Sequence, residues 1–261
     1  MIPVIGTAVI GNPFWVERLI ASVDFPTENF LIVNNSQNSE TIKKLTDLSN
    51  KPHEYIKKIS ILNFPNNMGV AASWNIIIKS FLNSPYWIIT NDDICFENNF
   101  LKEIFETAES NTDVGMIHGD EGVHSVGSWD IFLIRDYIIQ NFGLFDENFY
   151  PAYNEDADYI MKFVHRPIKK ILSLKTNYMH GHEKKGNYES SGQQTKKISK
   201  QMEDKLNTCL YMNFDYMTKK WGKEWRMCWP YKTPYDKQEF PVDYSHYDLN
   251  FIREKYKIFN Q

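Results

Sequence analysis

The sequence is short of several things, and each shortage excludes a class of protein. Three cysteines in 261 residues, Cys95, Cys209 and Cys228, are an odd number without C-x-x-C spacing, which argues against a disulfide framework and a structural zinc site and fits a reducing compartment. Excess charge is missing. With 29 Lys+Arg against 33 Asp+Glu the net charge is −4, so no basic field exists to hold a nucleic-acid backbone, and nucleic acid is not an expected partner. No apolar run approaches the roughly 20 residues of a membrane helix, and no basic leader opens the chain, so a cytoplasmic protein without a membrane span is expected. Glycine motifs are absent too. Neither G-x-G-x-x-G nor G-x-x-x-x-G-K-[ST] occurs, which disfavours dinucleotide-binding and P-loop folds, and the lack of G-x-S-x-G removes the commonest α/β hydrolase.

What is present is a globular composition with alternating patterns. Ile2 to Val9 is a short β-branched apolar run that reads as a strand buried on both faces, and Pro13 opens a helical segment through Phe14, Leu19, Ile20 and Val23. Phe30–Val33 predicts a second strand, Ser39 a helix cap, and residues 59–62 a third strand. After Asn67-Met68-Gly69, the spacing of Trp74, Ile77, Ile78, Phe81 and Leu82 predicts a helix, followed by a strand at Tyr86–Thr90. Strands alternating with helices indicate an α/β fold with a parallel sheet, whose ligand lies beyond the carboxyl ends of the strands. Later segments look mixed: a helix near 98–109, strands near 114–118 and 129–134, a helix ending at Gly143, a helix at Glu155–Val164, a strand near 170–174 and a polar loop from Gly181 to Gly192. Residues 1–194 are expected to form the main domain. Residues 195–261 read as a helical and irregular extension packed on it, rich in aromatics such as Trp221, Trp225, Trp229 and Tyr231.

Three constellations can carry chemistry. Asn91-Asp92-Asp93 ends an apolar strand, and its oxygen ligands suit Mg²⁺ or Mn²⁺; the same residues also suit a loop that caps the next helix. Asn154-Glu155-Asp156-Ala157-Asp158 places acids in a first helical turn, where the helix dipole favours negative charge whether or not one of them is a base. His180-Gly181-His182 offers imidazoles for a metal or a phosphate, or a solvated surface pair.

The order of motifs is more specific than any one of them. Val33-Asn34-Asn35-Ser36, then Asn67-Met68-Gly69-Val70-Ala71-Ala72-Ser73-Trp74-Asn75, then Asn91-Asp92-Asp93, then Gly143-Leu144-Phe145-Asp146-Glu147, then Glu155-Asp156-Ala157-Asp158-Tyr159 resembles the GT-A fold, family 2-like glycosyltransferases. The nearest flavour is the rhamnosyltransferase-like group, including viral, chlorovirus-type members. The resemblance covers roughly residues 2 to 185 and implies a Rossmann-like mixed central sheet flanked by helices. It further implies transfer of a sugar from a UDP- or dTDP-linked donor, L-rhamnose or a hexose, to a glycan acceptor hydroxyl, with inversion. A divalent Mn²⁺ or Mg²⁺ would assist.

Carried over by residue, the resemblance makes Asp93 the metal-binding acid of the D-x-D-type motif, Asp92 its neighbour beside ribose or metal, and Asp156 the base. Thr7, Ala8, Asn34 and Asn35 match the nucleoside pocket, and Asn67, Gly69 and Asn75 match the loop and helix over the donor. His180 resembles a late histidine at the metal or diphosphate, with His182 as its alternate. Asn91 stands where a first aspartate is often found, and Asn34-Asn35-Ser36 replaces a more usual acidic loop. Two other functions are carried alongside: a non-catalytic module holding a nucleotide-sugar or glycan, and sugar-nucleotide synthesis, which lacks its Gly-rich basic N-terminal loop here. Further domains or a homo-oligomer are compatible with all three.

Overall fold

The computed structural model describes residues 1–97, 99–120, 128–164, 171–175, 178–184, 187–197, 200–222, 253–255 and 257–258. Two compact units divide the chain. The first comprises Met1–Asn67, Ser73–Gly143 and Lys169–Thr195, and the second Met68–Ala72, Leu144–Ile168 and Lys196–Gln261.

Along the chain run β1 (Ile2–Val9), α1 (Phe14–Ala21), β2 (Thr27–Asn34), α2 (Ser39–Ser49), β3 (Ile56–Asn63), α3 (Val70–Ser80), β4 (Tyr86–Asn91), β5 (Ile94–Phe96), α4 (Phe100–Ser110) and β6 (Met116–Asp120). β7 (Ser128–Arg135), α5 (Asp136–Phe142), α6 (Glu155–Val164), β8 (Ile171–Lys175), β9 (Tyr178–His180), β10 (His182–Lys184), β11 (Asn187–Glu189), α7 (Ser191–Lys197) and α8 (Lys200–Trp221) follow.

The first unit is built on a seven-stranded sheet in the order β3-β2-β1-β4-β7-β6-β8. β3, β2, β1 and β4 are mutually parallel, β7 runs antiparallel to both β4 and β6, and β6 is parallel to β8. The expected mixed α/β sheet is therefore what forms. Its apolar strands explain the order: Ile5, Phe30, Ile32, Ile88 and Leu133 are buried on one face with Val16, Leu19 and Ile20 of α1 and Phe100, Leu101 and Ile104 of α4. Burying each such side chain is worth about 1.5–3 kcal/mol. From β1 the chain steps outward through β2 to β3, then returns to β4 on the other side of β1, so the crevice of the sheet opens between β1 and β4.

Local departures from sequence expectation have physical causes. The cap of α2 is Asn38, whose side chain accepts from the N–H groups of Glu40 and Thr41; Ser39 is the first helical residue. α3 buries Trp74, Ile77 and Ile78 as its spacing predicts, but the helix stops at Ser80 and Leu82 is left 71% exposed. α5 ends at Gly143, whose φ of +74° suits glycine. The polar stretch 181–192 is not a loop: β10 pairs antiparallel with β11, and α7 starts directly behind them.

The second unit has its own core, in which Phe149, Met161, Tyr216, Met217 and Trp221 pack α8 against α6 and the turn before it. The aromatic tail around Trp225, Trp229 and Tyr231 lies outside the described residues. Among the described residues, no helix is long and apolar enough to cross a membrane.

Candidate functional site

Register places a row of polar residues where the parallel strands end. Val9 is level with Asn34 and Asn34 with Asn63, while Ala8 is level with Asn91. Asn34 serves the fold here: its Nδ2 donates to Asn63 Oδ1 at 2.7 Å and its Oδ1 accepts from the Ser36 N–H at 3.0 Å. Asn35 donates to Ser73 Oγ at 2.9 Å, tying the loop after β2 to α3. Thr7 is fully buried near the end of β1, and among the described residues its hydroxyl has no hydrogen-bond partner. Asn75 is buried on α3, and Asn67 precedes it in the connecting loop.

Beyond Asn91 the chain turns sharply through Asp92 and Asp93 into β5, which pairs with β9 and brings Ile94 level with His180. This pairing is what carries the late histidine to the aspartates. His180 Nε2 lies 3.4 Å from Asp93 Oδ1, and its Nδ1 lies 3.2 Å from Asp130 Oδ2. Asp130 also accepts from Asn91 Nδ2 at 3.3 Å. Asp93 Oδ2 accepts from the Ser191 N–H at 2.8 Å, and the Asp93 carbonyl accepts from the Gly181 N–H at 2.9 Å and from the Arg18 guanidinium. Trp15 Nε1 donates to Gln194 Oε1 at 2.9 Å, joining α1 to α7 beside this cluster.

The electrostatics follow from burial and proximity. Burial, then repulsion from Asp93, pushes Asp92 up to about 7. Burial also opposes ionisation of Asp93, but hydrogen bonds and charge from His180, with the Ser191 N–H, outweigh it and hold the carboxyl below its usual range. Burial disfavours the His180 cation as well; the carboxylates of Asp130 and Asp93 outweigh that cost and push it up to about 10. Two of the three carboxyls thus flank one imidazole while a third sits protonatable beside them.

A divalent cation suits this arrangement. Asp93 is 1% exposed, and its Oδ1 faces the His180 ring at 3.4 Å, so a carboxylate oxygen and an imidazole nitrogen converge in a buried setting. Among the described residues no group of three or more His, Cys, Asp or Glu side chains is arranged to hold a metal alone. Mg²⁺ and Mn²⁺ are commonly held by one or two carboxylates that share the ion with phosphate oxygens and water.

Asp130 and Ser191 were not legible as site residues. Asp130 lies near the start of β7, just before its apolar run, and only the antiparallel direction of β7 puts that strand start level with the strand ends of the parallel set. Ser191 fell in the stretch read as a loop. His182 opens β10.

In the second unit, Asp156 follows Glu155 at the start of α6 and its Oδ1 accepts from the Ala157 N–H at 2.7 Å. Burial, then the Asp156 charge, raises Glu155 well above the ordinary range. Tyr153 and Asn154, before the helix, have φ of +77° and +75°. Asn213 of α8 donates from Nδ2 to the carbonyls of Ala152 and Tyr153 at 2.9 and 3.0 Å, which holds that turn in place. Gly69, at φ +82°, approaches so closely that an added Cβ would lie 2.9 Å from the Pro151 carbonyl oxygen.

No known family's sequence profile matches the chain, and no curated protein matches it by sequence. Solved structures do. TarS 1–349 of S. aureus superposes with a TM-score of 0.53 at 13% identity, covering 68% of this chain and 60% of that one. The mannosyltransferase PcManGT from Pyrobaculum calidifontis, solved with GDP-Man and Mn²⁺, gives 0.52 at 9% identity over 66% of this chain and 54% of its own. GalNAc-T7, solved with UDP, GalNAc and Mn²⁺, gives 0.63 at 11% identity over 100% of this chain and 54% of its own. The chain thus spans little more than half the length of these proteins. All three are GT-A glycosyltransferases, and the fold of this chain is the GT-A fold.

Proposed function

We propose that this chain is an inverting, metal-dependent glycosyltransferase that moves a sugar from a UDP- or dTDP-linked donor, L-rhamnose or a hexose, to a hydroxyl of a glycan acceptor in a single displacement. One observation carries the reading. Asp92 and Asp93 leave β4 beside the crevice of a GT-A sheet, and the buried Asp93 Oδ1 and His180 Nε2 converge there at 3.4 Å. Structures sharing this fold were solved with nucleotide-sugars and Mn²⁺, which supports the same ligand classes here.

In this reading Asp93 and His180 hold Mn²⁺ or Mg²⁺, and Asn91 and Asp92 line the donor beside them. Thr7, Ala8, Asn34 and Asn35 border the nucleoside; the Thr7 hydroxyl, unpartnered among the described residues, is a group that a bound base or ribose would satisfy. Asn67, Gly69 and Asn75 belong to the loop and helix that cover the donor. The metal, when bound, neutralises charge growing on the departing diphosphate. Asp156 takes the proton of the acceptor hydroxyl, a role proposed from the Glu155-Asp156 pair and worth about 10²–10⁴-fold when the hydroxyl is in line. Only one acid is required, unlike the pair of a glycosidase. Residues 1–194 supply the transferase domain and residues 195–261 its extension.

The test is calorimetry of nucleotides and nucleotide-sugars against wild type and Asp93→Ala, with and without Mn²⁺. Metal-dependent binding of a UDP- or dTDP-sugar, lost in the variant, is the expected result; no binding across the panel overturns the reading. Asn91, which stands where a first aspartate is often found, favours one other reading, a module that binds a nucleotide-sugar without turning it over. Donor bound without transfer or donor hydrolysis would select that reading.

A further inference from the structure

The residue that departs most plainly from the D-x-D pattern, Asn91, is paired with an acid from elsewhere in the chain. β4 and β7 run antiparallel with Thr90 level with Ile131, and the next step of that register sets Asn91 opposite Asp130. Asn91 Nδ2 donates to Asp130 Oδ1 at 3.3 Å. The other Asp130 oxygen, Oδ2, stands 3.2 Å from His180 Nδ1, while Nε2 of the same ring faces Asp93 Oδ1 at 3.4 Å. The four side chains form a line: amide, carboxylate, imidazole, carboxylate. Asp130 is 17% exposed and Asp93 1%, so the line runs from the rim of the site into its interior.

We infer that Asp130 is a positioning residue for the metal site: it holds His180 by an Nδ1–H hydrogen bond so that Nε2 is presented to Asp93 and to the ion, and thereby supplies the carboxylate that position 91 lacks. The inference rests on the metal-site reading above. Its chemical basis is general. A metal-binding imidazole needs its second nitrogen fixed, and a carboxylate accepting from that nitrogen sets the ring's orientation and raises its strength as a ligand. Asn91 contributes in turn, because its amide holds one Asp130 oxygen and leaves the other for the ring. An aspartate at 91 could not do this; it would set two carboxylates against each other where the structure has a donor and an acceptor. Asn91 and Asp130 therefore exchange roles as a pair, the amide on β4 and the acid on β7.

Two measurements on the full chain test this. In the metal-free protein, ¹⁵N-resolved NMR of the histidine rings should show a slowly exchanging His180 Nδ1–H that is lost in Asp130→Ala and kept in Asp93→Ala. Mn²⁺ binding, followed by electron paramagnetic resonance with UDP or with dTDP present, should weaken about 10- to 100-fold in Asp130→Ala. Asp130→Asn, which keeps an acceptor oxygen and the fold, should recover part of that loss. A wild-type protein that binds Mn²⁺ while Asp130→Ala binds it equally, or retains the Nδ1–H signal, overturns the inference alone. A wild-type protein that takes up no Mn²⁺ with either nucleotide overturns the metal-site reading and this inference with it.

Discussion

Lys220 Nζ lies 2.7 Å from Asp158 Oδ1 in the second unit, and both side chains are withdrawn from solvent, at 7% and 0% exposure. The same ammonium reaches Asp146 Oδ2 at 2.6 Å, and Asp146 also accepts from the Tyr216 hydroxyl. Trp221 Nε1 donates to Asp158 Oδ1 at 2.7 Å. One lysine on α8 thus ties α6 to the Phe145-Asp146-Glu147 turn. Its removal would leave two buried carboxylates without their cation, so Lys220→Met is expected to lower the unfolding free energy by about 3–5 kcal/mol, read by urea denaturation. A loss under 1 kcal/mol would mean that the hydrogen bonds from Tyr216 and Trp221 suffice.

The same cluster sets an acid limit. Burial would raise the Asp146 pKa, but the Lys220 charge and the hydrogen bonds from Lys220, Asn148 and Tyr216 hold it below 3.8. A carboxyl whose folded pKa is depressed contributes stability that is fully present above its unfolded value and lost as pH falls through the folded one. Lys220 is the mirror case: burial opposes its charge, Asp158 and Asp146 raise its pKa above 10.5, and its contribution fades only as pH rises through that raised value. Stability from the pair is therefore expected to be level between about pH 5 and 9 and to fall below pH 4. Urea midpoints across pH 2–9 check it, and in Lys220→Met the acid-side fall assigned to this pair should shrink.

Gly6 on β1 sits under α3, where an added Cβ would collide with the Ile77 side chain. Gly6→Ala should cost about 1–3 kcal/mol by overpacking, and Ile77→Val in the same chain should recover part of it. Equal costs for the single and double variants would show that the strand does not need this close approach.

Asp156→Asn should keep metal-dependent donor binding and lose sugar transfer by about 10²–10⁴-fold, measured as released nucleotide in an acceptor screen. Transfer at the wild-type rate would remove Asp156 as the base.

The parallel half of the sheet was readable because its strands are nearly unbroken apolar runs separated by polar turns, and the strands around Ile5, Ile32 and Ile88 form where that pattern predicts. The aspartates at the end of β4 were readable for the same reason, since a strand's last residue marks the crevice. Asp130 was not, because nothing local distinguishes an acid at the start of an antiparallel strand from one at the far edge of a parallel sheet; β7's direction is decided by its pairing with β4. The pairing of 182–184 with 187–189 was hidden by a polar, charged sequence that reads as loop although its backbone pairs as strands. Leu82 shows the opposite error, a residue that keeps helical spacing after the helix has ended at Ser80.

The run of backbone pairings from Tyr86 with Arg135 to Thr90 with Ile131 has one more consequence. It anchors Asp130 to the sheet through the residues that follow it. A single-residue slip within β7 would undo this: the strand would still be apolar and still pair, yet Asp130 would swing to the opposite face. The position of this carboxylate is thus written in the spacing of the hydrophobic residues downstream of it.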